Sequence, residues 1–165
     1  MRPRLSTIIR SATAVAVSLA AGAVLVAATA GASSGECRPV AGKLDEAQVE
    51  APEGEFHAQG RLVGGIQGTD NFRMRLADLG EPLAGTTVSH FVGRSLIETR
   101  TGDIDMLVAG AFDTASGRFS DLLTVVGGTG EWEGATGQLH LFGTFDFSTG
   151  IGHSDYRGEI CAASS

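Results

Sequence analysis

The chain has 165 residues, the size of one ordinary domain, and 24 of them are glycine. The glycines lack the every-third-residue period of collagen, and an apolar share of 42% argues against wholesale disorder. A formal net charge of −7 argues against a general nucleic-acid binder, because phosphate contacts need lysine and arginine.

Residues 1–32 have the pattern of a secretory signal peptide. Three arginines precede an uncharged run over 11–32, which ends in small residues of the A-x-A kind at 28–30. An uncleaved membrane anchor is the alternative, but the run is rich in alanine, glycine, serine and threonine and is therefore weakly hydrophobic. We expect a secreted protein with no stable membrane anchor after cleavage. The remaining chain would carry a charge of −10, because residues 1–32 hold three of the 12 basic residues and none of the 19 acidic ones.

Two cysteines stand near the ends of the expected mature chain, Cys37 and Cys161. A secreted chain meets an oxidising environment, so the sequence predicts a disulfide between them that ties the two termini together. The alternative is a pair of free or metal-binding thiols. It has little support, because the chain lacks the CxxC-type spacing of zinc sites.

Residues 33–54 are polar and small, and they predict an irregular lead-in, with a short helical turn over 41–51 as the alternative. From residue 55 onward, strand-like runs alternate with glycine-containing turns, a pattern typical of an all-β fold. The pattern predicts eight strands, at 56–63, 71–79, 86–93, 95–101, 104–113, 118–126, 136–147 and 155–162.

Two features favour a barrel over a flat sandwich. Some strands are apolar on both faces, most clearly 122–126, and glycine recurs inside strands, where it permits the bends that barrel closure needs. We therefore predict an eight-stranded β-barrel over residues 55–163. A barrel of this size is packed with side chains or holds one small ligand.

The densest motif is VVGGTGEWEGATG at 125–137, between two strong strands. Its glycines suit a tight corner. A run of this kind, with Gly117-Arg118-Phe119 before it and Phe142-Gly143 and 156–160 after it, resembles the allene oxide cyclase and dirigent-protein superfamily of barrels. The resemblance covers roughly residues 55–162, and it implies an antiparallel, calycin-like barrel of eight strands.

The resemblance implies a protein that steers a small hydrophobic molecule by shape, and the activity it favours is that of a cofactor-free isomerase or cyclase. The expected partner is therefore a small hydrophobic molecule, with no cofactor and no metal. Members of the superfamily are often oligomeric, so a homo-oligomer is also expected. The preference for arginine over lysine, with abundant alanine and glycine, indicates a high-GC bacterial source.

Other catalytic patterns have little support in the sequence. The glycine run fails as a dinucleotide-binding fingerprint, because Glu133 stands where glycine is needed. The four histidines, at 57, 90, 140 and 153, lack HxH or HExxH spacing, and the chain has no GxSxG elbow.

Successive side chains of a strand alternate between its two faces, and this alternation places several titratable residues on faces of mixed polarity. If those faces point into the lumen, their acids and imidazoles could perform acid–base chemistry; if they point outward, the residues are solvated surface groups. On the first alternative the predicted catalytic residues are Glu98, Asp105, His90 and His140.

Three aromatic residues are predicted to bind the ligand, namely Phe142, Tyr156 and Trp132. For Tyr156 a structural hydrogen bond is the alternative, and Trp132 is placed to cover one end of the barrel. Two rival functions stay open, a non-catalytic extracellular carrier and a structural oligomeric barrel. Buried titratable groups in the lumen would favour an enzyme, a wholly apolar roomy lumen a carrier, and a solidly packed lumen the structural class.

Overall fold

The first and last strands of the described chain pair with each other and close a barrel. The computed structural model describes residues 36–163, so the predicted signal peptide at 1–32 lies outside them. Each strand is antiparallel to the next in sequence, which confirms the predicted fold class. The strands are β1 Cys37–Val49, β2 Glu55–Gly64, β3 Gly68–Arg75, β4 Val88–Thr99, β5 Gly102–Asp113, β6 Arg118–Gly128, β7 Thr136–Asp146 and β8 Ile151–Cys161.

Alternation of apolar and polar residues sets which side of each strand faces the lumen. In β5, Ile104, Met106 and Val108 are buried, whereas the alternate residues Leu107 and Ala109 are exposed. The leucine and phenylalanine stripes face inward in the same way along β7. The faces of mixed polarity therefore point outward, which is the second of the two alternatives left open by the sequence.

Strand β1 is a correction to the sequence prediction. The sequence predicts an irregular lead-in over residues 33–54, yet Cys37–Val49 is a full strand that pairs with both β2 and β8. Only Val40 and Leu44 are fully buried in it, and the inward positions between and after them hold Gly42 and Glu46. These two residues interrupt the apolar alternation by which a strand is usually found.

A second difference concerns β4. The sequence predicts two strands, at 86–93 and 95–101, whereas Val88–Thr99 is one continuous strand. Gly93 lies within it, directly opposite Val108 of β5. The aromatic ring of Phe72 lies where a Cβ at this glycine would stand. Gly93 therefore accommodates the ring of Phe72 inside a strand and does not mark a turn. The predicted total of eight strands is correct because two errors cancel: the prediction divides β4 into two strands and omits β1.

One end of the barrel is closed by packed side chains, and the disulfide lies at the same end. Cys37 and Cys161 lie opposite each other in the β1–β8 pairing and form the predicted bond. The glycine motif forms the β6–β7 connection at this end, through a 3₁₀ helix at Gly130–Trp132. Trp132 is buried there and packs into the core, as the sequence predicts for a residue that covers a barrel end.

The outer surface carries an apolar patch across three neighbouring strands. Val92 of β4, Leu107 of β5 and Leu122 of β6 are each about half exposed. These outward residues account for the strands that are apolar on both faces. Within residues 36–163, no helix is long and apolar enough to cross a bilayer.

Candidate functional site

A cavity of about 370 Å³ lies in the half of the barrel opposite the disulfide. Its walls come from inward-facing residues of the strands, and the 3₁₀ helix at Leu76–Asp78 and the residues after it add Leu76 and Leu79 at the mouth. Leu76 and Phe147 are 49% and 52% exposed, which marks the mouth as open to solvent. The volume lies within the range of small-molecule sites.

Phenylalanine dominates the wall of this cavity. The chain has eight phenylalanines, and seven of them line it: Phe56, Phe72, Phe91, Phe112, Phe119, Phe145 and Phe147. Several pack edge to face, for example Phe56 against Phe145 with ring centroids 5.5 Å apart. Edge-to-face contacts hold the rings in defined orientations, so the aromatic wall gives the cavity a defined shape.

Three carboxyl groups interrupt the aromatic wall. Glu46 of β1, Asp70 of β3 and Asp121 of β6 line the cavity, and each occupies an inward position of its strand. Asp70 and Asp121 are only 4% and 6% exposed. No lysine, arginine or histidine lies among the residues that line the cavity. Unpaired acids in an apolar cavity are costly to ionise, because burial penalises the charged form.

Burial raises the pKa of all three acids. The pKa of Glu46 rises to about 7, with Asp70 raising it further and His153 lowering it in part. Burial raises the pKa of Asp70 to about 6, against the lowering effect of its hydrogen bonds from Ser95 and from the backbone of Asn71.

The pKa of Asp121 is raised furthest, to about 8, by burial and by the nearby charge of Glu46. At pH 7 these values leave Asp121 mainly protonated and Asp70 mainly ionised, with Glu46 close to its midpoint.

Asp121 also has a polar atom without a partner. Among the described residues, its Oδ1 is the one buried side-chain oxygen or nitrogen atom that has no hydrogen-bond partner. A Cβ at Gly110 of β5 would collide with this oxygen and with the ring of Phe91, so a glycine there leaves the carboxyl its space. A buried, unpartnered oxygen in a cavity wall is available to a ligand.

The three acids are not arranged as a preformed metal site. Within the described residues, only Cys37, Glu159 and Cys161 form a trio whose ligand atoms all lie within 4.8 Å of one another, and both sulfurs of that trio belong to the disulfide.

The four residues predicted to be catalytic lie on the outer face of the barrel, so their expected place in the lumen is wrong. His90 and Glu98 are exposed on β4. Asp105 accepts hydrogen bonds from Arg94 at 2.6 and 3.1 Å. His140 Nε2 lies 2.8 Å from the hydroxyl of Ser120 on the neighbouring strand. The structure does not bring the four together, because strand parity turns each of them away from the cavity.

The three aromatic residues predicted to bind the ligand are also outside the cavity lining. Phe142 lies on the outer face of β7 under the guanidinium of Arg157, 5.3 Å from the ring centroid. Trp132 lies at the closed end, where its indole N–H donates to Thr99 at 3.2 Å. Tyr156 is buried at the same end, which favours its alternative, structural role.

Tyr156 holds the 65–67 loop over the closed end. Its hydroxyl accepts a hydrogen bond from the backbone N–H of Ile66 at 2.8 Å and lies within donating distance of the carbonyl oxygens of Val63 and Ile66. We expect Tyr156→Phe to lower the free energy of unfolding by about 1–3 kcal/mol, because the buried N–H of Ile66 loses its partner. Urea denaturation measures this loss. Unchanged stability would contradict the structural role, and a changed cavity affinity would contradict its separation from the site.

The sequence pattern does not single out the three acids of the cavity, although the alternation of residues along β6 is a signal for Asp121. Asp121 alternates with Phe119 and Leu123 on the inward face of β6. An acid inside an apolar stripe is the pattern of a lumen group. Asp70 stands one residue before the predicted start of its strand, and Glu46 lies in the strand that was not predicted.

Comparison with known proteins supports the fold. The chain is similar to the solved structure of the pterocarpan synthase dirigent protein PsPTS1, with a TM-score of 0.52 and 12% sequence identity over 79% of this chain and 97% of that one. No family model matches the chain. No curated protein matches it either. At this identity the likeness concerns architecture alone. The chain therefore has the eight-stranded barrel fold of a dirigent protein, as the dirigent part of the sequence resemblance predicts.

Proposed function

We propose that the protein is a cofactor-free isomerase or cyclase that binds a small hydrophobic substrate in the aromatic cavity. The observation that carries the proposal is the presence of three carboxyl groups, two of them (Asp70 and Asp121) buried, in a mostly apolar cavity. A carrier for apolar molecules gains nothing from buried acids, which cost stability when they ionise. Groups with pKa values spread around neutrality are suited to proton transfer.

The acids divide into donor and acceptor roles. Asp121, with a pKa raised to about 8, is protonated near neutral pH and serves as the general acid. Asp70, with a pKa of about 6, is ionised and serves as the general base, held in place by the Ser95 hydroxyl. The base removes a proton from one atom of the substrate and the acid delivers one to another, so the product is an isomer. The phenylalanine walls hold the substrate in the reactive conformation.

Binding in the cavity is tested with N-phenyl-1-naphthylamine, an apolar dye whose fluorescence rises on leaving water. Val108→Phe adds a ring inside the cavity and should weaken binding at least about ten-fold, because it occupies the ligand's space. Leu107→Phe, one residue away on the outer face, is the matched control and should stay within about two-fold. Equal effects of the two changes would contradict a lumen site.

Catalysis is tested by exposing the protein to an extract of apolar metabolites and identifying the retained compound by native mass spectrometry. An isomerase returns a compound of the same mass with a new retention time, and Asp121→Asn should slow this conversion about 10²–10⁴-fold. A retained compound that is released unchanged would instead support the second candidate, a non-catalytic binding protein. That candidate is favoured only by the size and apolar character of the cavity.

A further inference from the structure

We propose that the cavity selects an amphiphilic amine, so that the substrate class is an aromatic or aliphatic skeleton bearing a protonated nitrogen. The inference rests on the proposed function and names the ligand chemistry of the same cavity. Three acids and no basic residue line it, and a ligand of complementary charge is therefore a cation.

The unpartnered oxygen of Asp121 gives the ammonium group a place to bind. Asp121 is 6% exposed, and its Oδ1 accepts no hydrogen bond from any described residue. Neither nearby carboxyl serves as a partner for this oxygen. Asp70 is already hydrogen-bonded to the hydroxyl of Ser95, and an ionised Glu46 repels an ionised Asp121. An N–H donor carried by the ligand would satisfy the oxygen and offset the repulsion with one positive charge.

The aromatic wall recognises the same group. An ammonium ion close to the face of a phenylalanine ring is attracted by the ring quadrupole, and the attraction grows when water is excluded. The seven phenylalanines surround the acids with such rings. Neutral apolar molecules would bind to the rings alone, whereas a cation gains from both rings and carboxylates. With the ammonium bound to ionised Asp121, Glu46 is the carboxyl left to take the donor role that Asp121 has towards a neutral substrate.

The test compares tryptamine with tryptophol, which share the indole and the two-carbon chain and differ in ammonium against hydroxyl. Isothermal titration at pH 8 should show tryptamine binding at least about ten-fold more tightly than tryptophol. At pH 5, where the cavity carboxyls are protonated, the ratio should fall below about three-fold. At pH 7, tryptamine binding should also release protons, visible as a heat that depends on the buffer, because a bound cation favours the ionised acids.

Two variants distinguish the effect of the local charge at Asp121 on amine binding from the effect of the protein's net charge. Asp121→Asn should abolish most of the tryptamine preference and leave tryptophol affinity within about three-fold. Asp155→Asn is the matched control, since it removes one acidic charge on the outer face and should leave the preference unchanged. If both probes bind equally at pH 8 in the wild-type protein, the amine inference is wrong while the ligand cavity stands. If neither binds, the proposed function fails and the inference fails with it.

Discussion

At pH 8, replacing Asp121 with asparagine should raise the free energy of unfolding by about 2–5 kcal/mol, whereas at pH 4 the replacement should change it by less than about 1 kcal/mol. The wild-type carboxyl is close to its pKa of about 8 at the higher pH and is partly ionised inside an apolar wall. Asparagine has the same shape and cannot ionise. The variant therefore loses the cost of burying a charge and keeps the packing.

The sign of this pH dependence follows from proton binding. The folded pKa of Asp121 lies above the ordinary value of 3.8, so between about pH 4 and pH 8 the folded state binds more protons than the unfolded state. Stability is fully present below the unfolded pKa and is lost as pH rises through the folded value. Glu46 and Asp70 shift in the same direction, so the wild-type protein should become less stable across this whole window.

Urea denaturation at one-unit pH intervals from 4 to 8 measures the effect. The curve of unfolding free energy against pH should flatten in the variant. Asp155→Asn is the control, because Asp155 is exposed in an ion pair with Lys43, 3.0 Å apart, and should change stability by less than about 1 kcal/mol at any pH. Parallel curves for wild type and Asp121→Asn would show that Asp121 ionises freely in the folded protein and that its assignment as the general acid is wrong.

The fold could be predicted because its strands alternate in a regular way. The stripe of Leu139, Leu141 and Phe145 is buried throughout β7, and the same period locates β5 and β6. Strand β1 could not be found in this way. Its inward positions include Gly42 and Glu46, and Pro39 within it is a residue that sheets tolerate only in special positions. Its pairing with β8 depends on barrel closure, which is a long-range property.

The site was harder to predict than the fold, because parity shows that two faces differ but does not show which one is inside. The choice of the mixed faces put Glu98 and His140 in the lumen, whereas the leucine and phenylalanine stripes face it. Those leucine and phenylalanine stripes continue into the core at the closed end. Their burial there determines which face of each strand points into the barrel. The isolated acids within the stripes, of which Asp121 is the clearest, are then the exceptions that carry the chemistry.

Replacing both Cys37 and Cys161 with serine should lower the free energy of unfolding by about 4–5 kcal/mol. The disulfide spans 124 residues of sequence, so its loss frees a long loop in the unfolded chain and raises the entropy of that state. Urea denaturation of the double variant measures the loss, and its unfolding transition should depend more steeply on urea because the unfolded state expands. Reduction of the wild-type protein with dithiothreitol should produce the same shift.

The location of the disulfide gives this prediction a second, independent readout. The disulfide joins the paired strands β1 and β8, here called the β1–β8 seam, at the closed end of the barrel. The cavity opens at the other end and includes neither cysteine. The folded double variant should therefore bind N-phenyl-1-naphthylamine with wild-type affinity, and the pH dependence set by Asp121 should persist in it. Dithiothreitol should have no effect on the double variant. A loss of binding without loss of stability would show that the two ends of the barrel are coupled, and that the seam shapes the cavity rather than only closing the chain.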